Sequence, residues 1–129
     1  MRTLIAITIL ALAAPTYASE CWQVGNMKGM SARMSDNLEI SADGFSGQSF
    51  DLVFDRDNSR LGGHSDMACS QYGQRTLVCL DAYPSKFVME TWTVDIAAGM
   101  ALHTKLRDGY GMLDGANLFV GEILGACTP

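Results

Sequence analysis

The sequence predicts an all-β domain, a small antiparallel barrel or sandwich braced by two disulfides. Three observations carry that expectation. Alternation of period two recurs along the chain, while no segment sustains a helical repeat. Residue pairs that accept tight-turn backbone angles fall between the alternating runs. Four cysteines form an even set, with Cys21 and Cys127 near the two ends of the expected mature chain.

The elements follow in order. Met1 and Arg2 open a positive start, Leu4 to Ala14 form an apolar run broken only by Thr8, and Pro15-Thr16-Tyr17-Ala18 offers small residues where a signal peptidase reads. Residues 1–18 are therefore expected to be a signal peptide and 19–129 a single β domain. At roughly 11 residues the apolar run falls short of the ~20 that a membrane span needs, and no later stretch reaches that length. Glu20, next to Cys21, argues against a lipoprotein signal. From Gln48 to Asp55, Phe50, Leu52 and Phe54 share one face of a strand. Val88, Trp92, Val94 and Ile96 share a face of the next, with Glu90 the exception. Met100, Leu102 and Leu106 alternate with His103, Lys105 and Arg107, the cleanest amphipathic strand in the chain. A last run, Asn117 to Ile123, leads toward Cys127.

Asp43-Gly44, Asp108-Gly109 and Asp114-Gly115 suit tight turns, Asp57 to Gly63 reads as a longer loop, and Ala97-Ala98-Gly99 reads as a three-residue hairpin connection. Strands at spacings of roughly 8–12 residues fit a sandwich or a small barrel. In an up-and-down barrel the first and last strands are neighbours, which would bring Cys21 to Cys127. That agreement favours the barrel.

The pairings expected are Cys21 with Cys127 and Cys69 with Cys79. By the chain-entropy model, loops of about 107 and about 11 residues contribute roughly 4.7 and 3 kcal/mol. Disulfides imply an oxidising compartment, and so the periplasm or secretion. No C-x-x-C occurs, and Cys69 and Cys79 lack zinc-ligand spacing. Acidic groups outnumber basic ones by 14 to 9, and the few basic residues are scattered, which disfavours nucleic acid as a partner.

Several segments invite a chemistry. Asp55-Arg56-Asp57-Asn58-Ser59 resembles the opening of a calcium loop, but Arg60 and Asp66 stand where an EF-hand has Gly and Glu. A solvated turn is the plainer reading. Met27, Met30 and Met34, with His64 and His103, could serve Cu(I), but on an extended strand Met27 and Met30 face opposite sides. Core or surface filler is the plainer reading there. Gly44-Phe45-Ser46-Gly47-Gln48 nearly spells a nucleophile elbow but lacks its last glycine and its strand–turn–helix setting, so a turn is expected. The glycine-rich stretch Asp108 to Gly115 has no βαβ context for dinucleotide binding. It connects the last two strands, with Tyr110 a candidate contact at a barrel rim. Trp22 and Trp92 are expected in the core. No catalytic residue, cofactor or metal site is nominated.

The residues Glu90-Thr91-Trp92-Thr93-Val94-Asp95, His103-Thr104-Lys105, Asp114-Gly115-Ala116 and Phe119-Val120-Gly121 resemble a pattern of small secreted proteins of alphaproteobacteria. The resemblance covers about the last third of the chain. It implies a Gram-negative periplasm and no particular activity. In size and barrel form the chain is also similar to periplasmic inhibitors of C-type lysozyme. Their Ser-Gly-x-x-Tyr motif is not found here, and Asp108-Gly109-Tyr110 lacks its Ser and spacing. That likeness stays at the level of fold.

The function expected is a non-enzymatic periplasmic binding module that docks a protein or envelope component through rim loops, with Asp55, Asp57 and Tyr110 as partner-binding candidates. A lipocalin-like carrier of a small apolar ligand is the first alternative. A small hydrolase is the second.

Overall fold

The computed structural model describes residues 17–63 and 66–129, so the expected signal segment up to Thr16 lies outside the described residues, as does His64. Eight strands follow one another: β1 (Glu20–Arg33), β2 (Ile40–Phe54), β3 (Arg60–Gly62), β4 (Ala68–Tyr72), β5 (Thr76–Tyr83), β6 (Lys86–Asp95), β7 (Met100–Asp108) and β8 (Gly115–Ala126). All pairings are antiparallel, in the order β3-β2-β1-β8-β7-β6-β5-β4. The sheet is an up-and-down barrel, nearly closed, with its seam between β3 and β4. Among the described residues no helix is long and apolar enough to cross a membrane.

Because β1 lies beside β8, Cys21 meets Cys127. The two are disulfide-bonded with Cα atoms 4.9 Å apart, and the Cys127 N–H donates to the Cys21 carbonyl at 3.0 Å. Cys69 and Cys79 face each other across the β4–β5 hairpin and form the second bridge. Two disulfides fit a protein that works outside the cytoplasm.

The strands are longer than the expected spacing, 14 residues in β1 and 15 in β2. Part of the extra length is a bulge. Gly25 pairs with Ser49 but Met27 pairs with Phe45, so Ser46-Gly47-Gln48 stand opposite Asn26 alone. The elbow-like segment is thus a bulge inside β2 rather than a turn. Asp43-Gly44 is not a turn either. It lies within β2, and a Cβ on Gly44 would come 2.6 Å from the Met27 carbonyl oxygen, so this glycine permits close backbone approach. The expected loop from Asp57 to Gly63 folds instead into a 3-10 turn, Arg56–Asn58, and the short β3. Ala97-Ala98-Gly99 does join β6 to β7, with Gly99 left-handed at φ 67°.

At the end of the barrel that holds Cys21 and Cys127, the interior is apolar. Val24, Leu52, Leu77, Phe119 and Trp92 are buried there with Met27, each contributing about 1.5–3 kcal/mol on burial. Phe50, Leu52 and Phe54 face this core together, as the alternation requires. Met27 is 1 % exposed and Met30 52 %, on opposite faces of β1.

β7 is turned the other way from an ordinary amphipathic strand. Leu102 and Leu106 face outward, whereas His103, Lys105 and Arg107 face the interior. The short β6–β7 hairpin fixes the register, setting Trp92 opposite His103, Glu90 opposite Lys105 and Val94 opposite Ala101. A slip of one residue would reverse every side chain, and Trp92 and Val94 hold their face in the core. Glu90, the exception in an apolar row, therefore faces inward.

Candidate functional site

The rows of paired residues describe the other end of the interior. Glu90, Lys105, Asn117 and Ser31 form one row across β6, β7, β8 and β1. Val88, Arg107, Gly115 and Arg33 form the next, nearer the rim. Directly paired residues share a face, so charged and polar side chains line this end above an aromatic floor. The cavity they enclose has a volume of about 300 Å³ and is lined by Phe45, Phe50, Trp92, Lys105, Arg107 and Phe119, among others.

The floor is a stack. The His103 ring lies on Trp92 with centroids 3.7 Å apart and planes 20° from parallel, and Phe50 reaches Trp92 at 5.0 Å. Phe45 meets Phe119 edge-on at 5.2 Å. His103 Nδ1 lies 3.1 Å from the Thr91 carbonyl, which can only accept, so Nδ1 carries the proton and Nε2 is left as an acceptor. Burial holds the His103 pKa below its ordinary value, and Lys105 adds to this. The Glu90 charge and the Thr91 hydrogen bond oppose it. A neutral ring on an indole face is the result.

Glu90 is satisfied on both oxygens. Trp92 Nε1 donates to Oε2 at 3.1 Å, and Lys105 Nζ sits 2.5 Å from Oε1. Arg33 pairs with Asp43. Asp43 is desolvated, but the Gly44 N–H, Ser31 and the Arg33 charge outweigh that and hold its carboxyl below the usual range.

Among the described residues Arg107 has no ion pair, although Asp81 shares its row beyond Val88. The Nε atoms of Arg33 and Arg107 are both buried without a hydrogen-bond partner. Between the two arginines stands Gly115, paired with each, where a Cβ would come 2.1 Å from the Ala32 carbonyl oxygen. A guanidinium that keeps a buried, unpartnered donor beside aromatic rings can take a carboxylate or phosphate oxygen.

The rim around this cup is made by two connections. Asp114 organises the second, accepting the Gly109 N–H at 3.2 Å and the Tyr110 N–H at 2.6 Å. Met34 N–H donates to the Asp114 carbonyl at 2.8 Å, tying the β1–β2 connection to the β7–β8 connection. Together they expose Met34, Leu38, Met112 and Leu113. Lys86 Nζ is 5.0 Å from the Tyr110 ring centroid and 5.4 Å from that of Tyr83.

Of the partner-binding candidates, Tyr110 lies at this rim. Asp55 and Asp57 lie in the β2–β3 connection at the opposite end of the barrel, so the three do not share one surface. That far end holds a larger cavity, about 890 Å³, lined by Tyr17 to Glu20, Phe54 to Asp57 and parts of β4 and the β4–β5 turn. There the Arg56 guanidinium sits 4.2 Å above the Tyr17 ring. The loop is braced by Gln71, which accepts from the Arg56 N–H and the Ser59 hydroxyl, both at 2.9 Å. Among the described residues no three His, Cys, Asp or Glu side chains converge on one point for a metal ion. Met27 inside and Met30 outside cannot share a copper ion either.

Sequence reasoning passed over Arg107, Lys105 and Asn117 as site residues. The interruption of an apolar row by Glu90 was the one signal that pointed to them. A scan against protein-family models finds no match, and comparison with curated proteins and with solved structures finds none either.

Proposed function

We propose that this protein is a non-enzymatic binding module of the periplasm, exported by a signal peptide cleaved after Ala18, whose site is the polar end of the barrel. Its rim loops dock a protein or envelope component, and the cup behind them receives an acidic group borne next to an apolar or aromatic one. The observation that carries the reading is Arg107, a guanidinium with no ion pair among the described residues and a buried, unpartnered Nε, set beside an aromatic floor. The exposed Met34, Leu38, Met112 and Leu113 around the opening supply apolar contact for a macromolecule. Carriage of a free small ligand is the second reading. It is favoured by the cup's volume, about 300 Å³, at the lower end for small-molecule sites.

A photo-crosslinking residue at Met112, introduced in cells exporting the protein, tests both. Under the docking reading one partner is captured, and Arg107→Leu and Tyr110→Ala each abolish its capture, while Asp57→Ala at the opposite end does not. Under the carrier reading no partner is captured, but the purified protein binds 8-anilinonaphthalene-1-sulfonate, a sulfonate on aromatic rings, and quenches Trp92. Arg107→Leu then weakens that binding about tenfold or more, the scale of one charge-assisted hydrogen bond. Capture or dye binding that ignores Arg107→Leu overturns the assignment of the cup.

A further inference from the structure

What the cup can hold is fixed first by its charge. Of the side chains lining it, Lys105 and Arg107 are positive and Glu90 is negative. Glu90 holds Lys105, so one positive charge remains, on Arg107. A carboxylate matches it, whereas a phosphate monoester brings a charge of about −1.5 to −2 and overshoots. Lys105 and His103 are the next inward positions along β7, and His103 offers an acceptor at Nε2. Beneath lies the aromatic floor of Trp92, Phe50, Phe45 and Phe119. The fitting ligand therefore joins one carboxylate, an N–H donor and an apolar group within a few bonds.

The last residue of a polypeptide carries all three on a single Cα. The side chains of Asp and Glu bear a carboxylate with no apolar group beside it. A free amino acid brings an ammonium as well, which Lys105 and Arg107 repel. The cup's volume of about 300 Å³ is on the scale of one bulky residue rather than a folded element.

The wall beside the cup can carry the rest of such a chain. β2 is 15 residues long, but on the edge turned away from β1 it pairs with β3 only from Asp51 to Val53. From Ile40 to Phe50 that edge has no strand partner among the described residues. Proteins commonly guard a free edge with Lys, Pro, charge or a bulge. This stretch has neither Lys nor Pro, and its one charge, Asp43, is engaged by Arg33. Its bulge, Ser46-Gly47-Gln48, brings Gln48 into the lining of the cup with Phe45 and Phe50. Free edge and cup meet at these residues.

We propose that the cup captures the C-terminal residue of a polypeptide, its α-carboxylate on Arg107 and its side chain on the aromatic floor, while the preceding residues add a strand along the free edge of β2. Main-chain pairing supplies affinity in strand addition of this kind, and the pocket at its end supplies selectivity. The N–H of the last residue is the donor that His103 Nε2 or the Gln48 amide oxygen accepts. Chain-end capture deepens the docking reading of the cup and rests on it.

The test is fluorescence polarisation of the exported, purified protein with a fluorescein-labelled pentapeptide, Ser-Val-Thr-Val-Phe, ending in a free carboxylate. The expected result is saturable binding, about tenfold or more weaker for the same peptide ending in an amide, the scale of one charge-assisted hydrogen bond. Arg107→Leu should erase the difference between acid and amide. The acid–amide comparison on the wild type decides the matter even if that variant fails to fold. Alternate N–H groups of an added strand face β2, so N-methylation at either the Thr or the Val after it should weaken binding severalfold. Equal binding of acid and amide, or binding of neither, overturns the inference. N-acetylphenylalanine that binds as tightly as the pentapeptide, or indifference to both methylations, overturns the strand along β2. If the peptides fail while 8-anilinonaphthalene-1-sulfonate still needs Arg107, chain-end capture falls and the cup stands. If the dye also ignores Arg107→Leu, both fall.

Discussion

The two ends of the barrel interior are enclosed by the same long strands and filled by opposite chemistry. Toward the Cys21–Cys127 bridge, Val24, Leu52, Leu77 and Phe119 pack without a charge among them. Toward the rim, Glu90, Lys105, Arg107, Asn117 and Arg33 occupy the corresponding inward positions, and the leucines of β7 and β8 stand outside. Trp92 is the hinge of the comparison. Its rings belong to the core, and its N–H belongs to Glu90. One end therefore supplies cohesion, and the other keeps unpaired polar capacity at a cost the first end offsets. Binding sites are commonly set in stable scaffolds on such terms.

Four variants break or sharpen that division. Trp92→Ala removes the floor's central ring and the Glu90 donor together, and should cost about 3–5 kcal/mol in urea denaturation. Glu90→Gln should cost less, about 1–3 kcal/mol, because Lys105 loses its counter-ion while its side chain stays 28 % exposed. Replacing both partners by leucine should recover most of that loss, as with other buried pairs exchanged for apolar residues. If Glu90→Gln costs as much as Trp92→Ala, the polar end is structural and the division fails. The smallest effect is a slope. The buried His103 resists protonation, so the unfolded chain binds the proton first and stability declines as pH falls below the ordinary histidine value, about 6.5. Thermal melts of His103→Phe should lack that slope. Glu20, held low by hydrogen bonds from Arg75 and Trp22, and Asp43 keep their stabilisation above the ordinary carboxylate values of 4.5 and 3.8. They lose it only as pH falls further.

How much of this could be read in the chain depended on which interaction fixed it. Alternation placed Phe50, Leu52 and Phe54 on one face correctly, because that face packs on the core along its whole length. In β7 the same alternation separated two faces and said nothing about which was inside. That is decided by pairing with Trp92 and Val94, a tertiary matter. The cup escaped notice for the same reason, since Arg107 and Arg33 are far apart in sequence and become neighbours only across Gly115. The cysteine pairing was legible because barrel topology brings first and last strands together. Asp43-Gly44 misled because the residues of a tight turn also suit a strand whose partner presses close.

The bridge between Cys21 and Cys127 has a mechanical consequence. The half-cystines lie 106 residues apart in sequence and 4.9 Å apart in space, so nearly the whole domain is a closed covalent ring. A pull applied between residues 20 and 128 runs through two sulfur atoms and bypasses the eight strands. Tension on the two ends loads the covalent bond and leaves the cup in its resting shape.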